Sequence, residues 1–254
     1  MSGITDEQIT LYVRANIGSF HEKRLEALNE LKLSNLLRRK NPYLFRSKNL
    51  VVAADLIKSL LDAHLSSQEE TLFGDFLEGL AIYVAETVHG GLKSSATGID
   101  LEFLKDNARY IVSIKSGPNW GNSSQVAKMK ADFRTAARVI RQGNAGTNVI
   151  AVNGCCYGRD TKPDKGDYFK YCGQEFWELI SNDAEFYTRI VEPLGHNAKI
   201  RNDAFNENYG AVINRLSSEF AHNFCDKSGA IDWSKFVAFS SAKGRSPRLK
   251  SLAI

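Results

Sequence analysis

The chain has 254 residues, 43% of them hydrophobic and 24% charged, so it can bury a core and is not a disordered chain. Lys plus Arg number 33 against 29 Asp plus Glu, a formal net charge of +4 that permits a nucleic-acid partner without demanding one. No apolar run is long enough to span a membrane, and MSGITDEQIT lacks the pattern of a secretory signal, so the expected compartment is the cytoplasm. Cys155, Cys156, Cys172 and Cys225 show no CxxC spacing and read as buried thiols rather than a disulfide frame or a zinc site.

The first ninety residues read as helical. Thr5-Asp6-Glu7-Gln8 is a capping box followed by Ile9, Tyr12, Val13 and Ile17 at helical spacing. Leu25, Leu28, Leu31, Leu36 and Leu37 mark a second stretch that stops at Asn41-Pro42, and a third runs over 50–65. Ser67-Gln68-Glu69-Glu70 predicts a new helix carrying Phe73, Phe76, Leu77, Leu80, Val84 and Val88, closed by Gly90-Gly91. The period then shortens to two. Ile99, Leu101 and Phe103 alternate with Asp100 and Glu102, and Tyr110-Ile111-Val112-Ser113-Ile114-Lys115 predicts a paired strand across the turn Lys105-Asp106-Asn107-Ala108. A polar loop follows, then a helix over 123–142 with Asn122 as N-cap and Gln125 at N3. Val149, Ile150, Ala151 and Val152 form a short apolar strand, 157–171 reads as turns with another strand or hairpin, and helices return over 174–180, 184–191 and 206–224. The order implies an α/β fold with a mixed sheet flanked by helices. The expected division is a helical part over 1–90, for dimerisation and DNA support, and a core over 91–254.

Charge clusters locally. Lys105, Arg109, Lys115, Lys128, Lys130, Arg134, Arg138 and Arg141 fall in a stretch whose acids are Asp106 and Asp132. Alternation places Ser113 with Lys115, and Asp100 with Glu102, on common strand faces. If the two strands pair, acids and lysine converge at one sheet edge. A carboxylate can hold Mg²⁺ through hard oxygens, the ion neutralises phosphate charge and acidifies a bound water, and a lysine orients that water. The bland reading is a turn-forming Asp and a solvated Lys.

Gly98-Ile99-Asp100, Tyr110 through Gly117, Trp120, the strand 149–152, Tyr157-Gly158 and Gly173-Gln174-Glu175-Phe176-Trp177 together resemble the PD-(D/E)xK nucleases. Within that superfamily the order is similar to type II restriction endonucleases that read interrupted GG…CC sites. The resemblance covers the middle third of the chain well and the helical flanks loosely. It implies a restriction-endonuclease-like fold with Asp100 and Lys115 in the site. The family's second acid, two positions before the lysine, is Ser113 here, and a hydroxyl is a poor Mg²⁺ ligand. The replacement implied is Glu78 from the preceding helix, with Glu102 as runner-up and the Ile114 carbonyl as a further oxygen donor.

The loop after the lysine offers Asn119, Trp120, Asn122, Ser123, Ser124 and Gln125 as DNA contacts, through amide pairing with bases or hydroxyls and helix N-terminal amides on phosphate. Lys128, Arg134 and Arg138 on the next helix extend a basic track, with Arg141 in the same stripe. A turn and a solvated helix face are the ordinary alternative. The expected protein is thus a Mg²⁺-dependent type II restriction endonuclease acting on double-stranded DNA. It is expected to leave 5′-phosphate ends and work as a homodimer, with a cognate methyltransferase in the same system and no membrane partner. A repair or recombination nuclease of the same superfamily, or an inactive DNA-binding relative, remains open. The basic residues Lys243, Arg245, Arg248 and Lys250 are a further candidate for phosphate contact.

Overall fold

A computed structural model describes residues 3–244 and Leu249. The basic tail therefore lies largely outside the described residues, with Lys243 as the exception. Two compact units emerge, one from residues 1–20 with 71–196 and the other from 21–70 with 197–254. No described helix is long and apolar enough to cross a membrane.

The Thr5 capping box forms as its sequence predicts: the Gln8 N–H donates to Thr5 Oγ1 at 3.2 Å, and the Thr5 N–H donates to Gln8 Oε1 at 2.9 Å. The helix it opens, α1 (Asp6–Asn29), runs further than expected and absorbs Leu25 and Leu28. Two short helices follow, α2 (Leu33–Arg38) and α3 (Pro42–Ser47). Asn41-Pro42 starts α3 rather than merely ending what precedes it, because Asn41 caps the amides of Tyr43 and Leu44 while Pro42 takes the first turn, where no N–H is needed.

The expected break before Phe73 does not occur. α4 (Ala53–His89) is one helix of 37 residues, and Ser67-Gln68-Glu69-Glu70 lies inside it. Neither Gly nor Pro interrupts 53–73, so a capping-box sequence inside a strong apolar period stays helical.

The sheet has five strands in the order β1 (Leu92–Lys93), β2 (Leu101–Lys105), β3 (Ala108–Lys115), β4 (Asn148–Cys155) and β5 (Phe169–Cys172). The predicted hairpin is present: β2 and β3 are antiparallel, and Asp106 and Asn107 both have positive φ, the two-residue turn whose twist suits a hairpin. β4 joins β3 in parallel, and β5 joins β4 in parallel. The 157–171 segment thus supplies one ladder strand, entered through a tight turn with an antiparallel bridge between Asp164 and Phe169. Between β3 and β4 runs α5 (Ser123–Gly143), the crossover a parallel pair requires. After β5 come α6 (Gln174–Ser181), α7 (Phe186–Arg189), α8 (Val191–Leu194), α9 (Ala198–Phe224) and α10 (Trp233–Ser241). The mixed sheet flanked by helices is the arrangement expected from the element order, and it agrees with the restriction-endonuclease-like fold that the resemblance implies.

In the first unit the sheet is covered on both faces. Leu101, Phe103, Val112, Ile114 and Val152 share one core with Ile9 and Val13 of α1, Leu80 and Val84 of α4, and Phe176 and Trp177 of α6. Ile111 packs on the opposite face with Met129, Phe133 and Ala136 of α5. Strand alternation therefore turns Ser113 and Lys115 toward the α5 side. In the second unit Leu28, Leu31, Leu33, Leu36, Leu56, Leu60, Phe220, Phe224 and Phe236 form a separate core. Leu28 and Leu31 are buried there, so these leucines pack within the chain.

Candidate active site

Asp100 sits one residue before β2 rather than within it, but its N–H still donates to the Val112 carbonyl at 2.8 Å, which extends the ladder and sets Asp100 beside Ser113. Its Oδ2 accepts the Ile114 N–H at 2.6 Å and lies 3.4 Å from the Ser113 hydroxyl. The Lys115 ammonium stands 3.7 Å from the same oxygen and donates to the Ile114 carbonyl at 2.7 Å. Asp100, Ser113 and Lys115 are thus brought together. Asp100 and Lys115 are partly exposed, while Ser113 is buried.

Glu102 shares a strand face with Asp100, but its carboxylate is held elsewhere. Arg109 donates to Oε2 through Nε and Nη2, at 2.9 and 2.6 Å, and the Ser94 hydroxyl donates to Oε1. Glu78 projects from α4. A Cβ added at Gly74, one turn earlier, would meet Ser116 at 3.5 Å, so this face of α4 lies against the residue after Lys115. Cys156 gives an independent bearing: burial first, then the Glu78 charge, raise its thiol pKa to about 12, and Lys115 opposes them. The one ion pair of Glu78 found among the described residues is with Lys93 at 3.4 Å, an exposed contact of the kind worth little.

The loop after Lys115 is packed rather than free. Gly117 lies under the Tyr157 ring so closely that a Cβ would come within 2.3 Å of it, and Lys170 Nζ donates to the Pro118 carbonyl at 2.9 Å. Trp120 turns inward: its Nε1–H donates to Asn153 Oδ1 at 3.0 Å, and its ring faces the Lys115 ammonium at 5.4 Å. Asn119, Ser123 and Ser124 are exposed. Asn122 and Gln125 are exposed too, yet they form the expected capping box, so the Asn122 Oδ1 and Gln125 Oε1 acceptors hold the helix start.

The oxygens available to a divalent ion are the Asp100 carboxylate and the Ile114 carbonyl, hard donors of the type such ions take. The Lys115 ammonium, a cation, already draws on both, so the pair is electrostatically suited to a metal. No group of three or more His, Cys, Asp or Glu able to hold a metal occurs among the described residues, so a complete ligand set needs a further acid to join Asp100.

A family model described as type II restriction endonuclease EcoO109I matches residues 7–202. The chain belongs to this family. No curated protein matches it. As a restriction endonuclease of this family it is a nuclease acting on DNA, and enzymes of this type generally use divalent metal ions. The match spans the hairpin, Glu78, the Trp120 loop and α5, so every residue of the geometry above falls inside it.

Arg134, Arg138 and Arg141 line a groove of about 460 Å³ with Phe133, Ala137, Val149, Ala151 and Asp167. Lys128 is paired with Asp132 at 2.7 Å. No salt bridge to the three arginines is found among the described residues, whereas Asp167 pairs with Lys130 at 3.3 Å.

The sequence reading missed Asn153. Asn153 is almost fully buried, stands opposite Ser113 in the β3–β4 register, and donates through Nδ2 to the Ser113 carbonyl at 3.2 Å. An amide at the end of the apolar run Val149-Ile150-Ala151-Val152 was the available signal, since a buried polar group needs a partner.

Proposed function

We propose that this chain is a Mg²⁺-dependent, site-specific endonuclease that cuts both strands of DNA and leaves 5′-phosphate and 3′-hydroxyl ends. The convergence of Asp100 Oδ2, the Ile114 carbonyl and Lys115 Nζ at the end of the hairpin carries this reading. Asp100, the Ile114 carbonyl and Glu78 would hold the ion. Glu78 is preferred to Glu102 because its pairing with Lys93 is exposed and weak, while Glu102 is clamped by Arg109 and Ser94. When bound, the ion offsets charge on the phosphate and acidifies the attacking water.

The chain's own residues do the rest. The Lys115 ammonium donates to the water or to a non-bridging phosphate oxygen, orienting one against the other. The new bond runs from the water oxygen to phosphorus while the bond to the 3′ oxygen breaks; the water's proton passes to solvent, and the leaving 3′ oxygen takes one up to become the 3′-hydroxyl. Ser113 supplies a hydroxyl beside Asp100 rather than a charge. Asn119, Ser123 and Ser124 present polar groups to DNA, as do the amide N–H groups of Asn122 and Gln125 that capping leaves free. Lys128, Arg134 and Arg138 follow the backbone. A cut through both strands of a palindrome calls for a homodimer. A cognate methyltransferase would protect the host sites, and interrupted GG…CC sequences are the first class to test.

Digestion of unmethylated phage DNA tests the proposal, with Mg²⁺ or EDTA, for wild type and Lys115→Ala. Discrete fragments that require Mg²⁺ and vanish in the variant are expected. A smear would indicate a nuclease without sequence choice, such as a repair enzyme. DNA binding without cleavage would mark Ser113 as the trace of a lost acid.

A further inference from the structure

Lys115 is a flexible chain of methylenes ending in a point charge, and a catalytic ammonium needs something to fix its direction. Two of its partners, the Asp100 carboxylate and the Ile114 carbonyl, are the same oxygens that the proposed function assigns to the divalent ion. The third is the face of Trp120, at 5.4 Å. A ring face attracts a cation through its quadrupole, and that attraction does not compete with a metal for oxygen.

The indole is itself tied down. Its N–H donates to Asn153 Oδ1, and the Asn153 amide donates to the Ser113 carbonyl. One buried side chain on β4 therefore links the backbone of β3, two residues before the lysine, to the ring that faces the lysine. Asn153 satisfies both arms of its amide in doing so, which rigidifies the link. Gly117 under the Tyr157 ring and Lys170 on the Pro118 carbonyl fix the loop that delivers Trp120.

We propose that Trp120 is a positioning residue for Lys115, aimed by Asn153, rather than a DNA contact. The inference rests on the nuclease reading above. Its test compares wild type, Trp120→Phe and Trp120→Leu in steady-state cleavage, read as kcat and KM, alongside DNA affinity in EDTA and circular dichroism. Trp120→Leu is expected to lower kcat by roughly 10- to 100-fold, the scale of a small misplacement of a reacting group. KM, and the Kd for DNA in EDTA, should stay within about twofold. Trp120→Phe keeps a ring face but loses the bond to Asn153, so it should fall between the other two. A cutting wild type with Trp120→Leu unchanged in kcat would overturn this inference alone, as would an intact kcat with weakened DNA binding in EDTA. A folded wild type that binds DNA and cuts none would overturn the nuclease reading together with it.

Discussion

Asp100 and Ile114 are joined by a short hydrogen bond, the Ile114 N–H donating to Asp100 Oδ2 at 2.6 Å, so the acid of the site also closes the end of the hairpin. Charge and structure can be separated here. Asp100→Asn keeps an oxygen acceptor for Ile114 and should leave the melting temperature nearly unchanged, while cleavage falls on the order of a hundred- to a thousandfold, as for loss of a group that stabilises developing charge. Asp100→Ala removes the acceptor as well and should cost a further ~1 to 3 kcal/mol of stability, the scale for a donor left without its charged partner. Melting curves and cleavage rates of the two variants, side by side, check both statements.

Gly154 lies on β4 directly beneath Phe176 of α6, and a Cβ there would come within 2.2 Å of a ring that has no exposed surface. Gly154→Ala should destabilise the chain by about 1 to 3 kcal/mol, since a closed core absorbs an extra methyl only by moving side chains and backbone. The check is a denaturant titration in which the midpoint falls and the slope is kept. An unchanged midpoint would mean that α6 shifts freely on the sheet.

The groove of α5 predicts a salt effect. If Arg134, Arg138 and Arg141 neutralise backbone phosphates, replacing each by Ala should weaken binding to all DNA sequences alike. It should also reduce the slope of log affinity against log salt by roughly one unit per arginine. Fluorescence anisotropy in EDTA over a range of salt measures that slope. An unchanged slope in the triple variant would place the groove off the DNA path.

Burial gives the fold a dependence on pH. Desolvation is the leading cause that lowers the pKa of His21, His64 and His89, joined by Arg201 and Arg24 at His21, by Arg39 and Lys40 at His64, and by Lys105 at His89. The unfolded chain takes these protons near pH 6.5, before the folded chain does. The stability tied to these histidines is therefore present above about pH 6.5 and is lost as pH falls through the folded values. Tm should drop between pH 7.5 and 5.5, and His64→Gln should flatten that drop. A flat profile in the wild type would contradict the burial of these rings.

Much of the scaffold was legible in the residues themselves. The Thr5 and Asn122 caps, the Asp106-Asn107 turn and the paired strands around it rest on local chemistry, in which a side chain satisfies an amide three residues away or a turn needs positive φ. Where the reading failed, a longer-range effect won. Ser67-Gln68-Glu69-Glu70 has the letters of a cap, but α4 is held helical on both sides of it by buried apolar residues. Asn41-Pro42 marked a stop, since α2 ends at Arg38, and served also as the start of α3.

The sequence by itself determined that an acid and a lysine end up on adjoining strands, because alternation and a two-residue turn leave little choice of register. Only the tertiary structure decided which groups surround them. That Glu102 is clamped by Arg109 and Ser94, that Gly74 of α4 lies against Ser116, and that Asn153 joins Ser113 to Trp120 all depend on contacts between separate segments of the chain. Such contacts are set by how the helices close over the two faces of the sheet, and no local spacing encodes that closure.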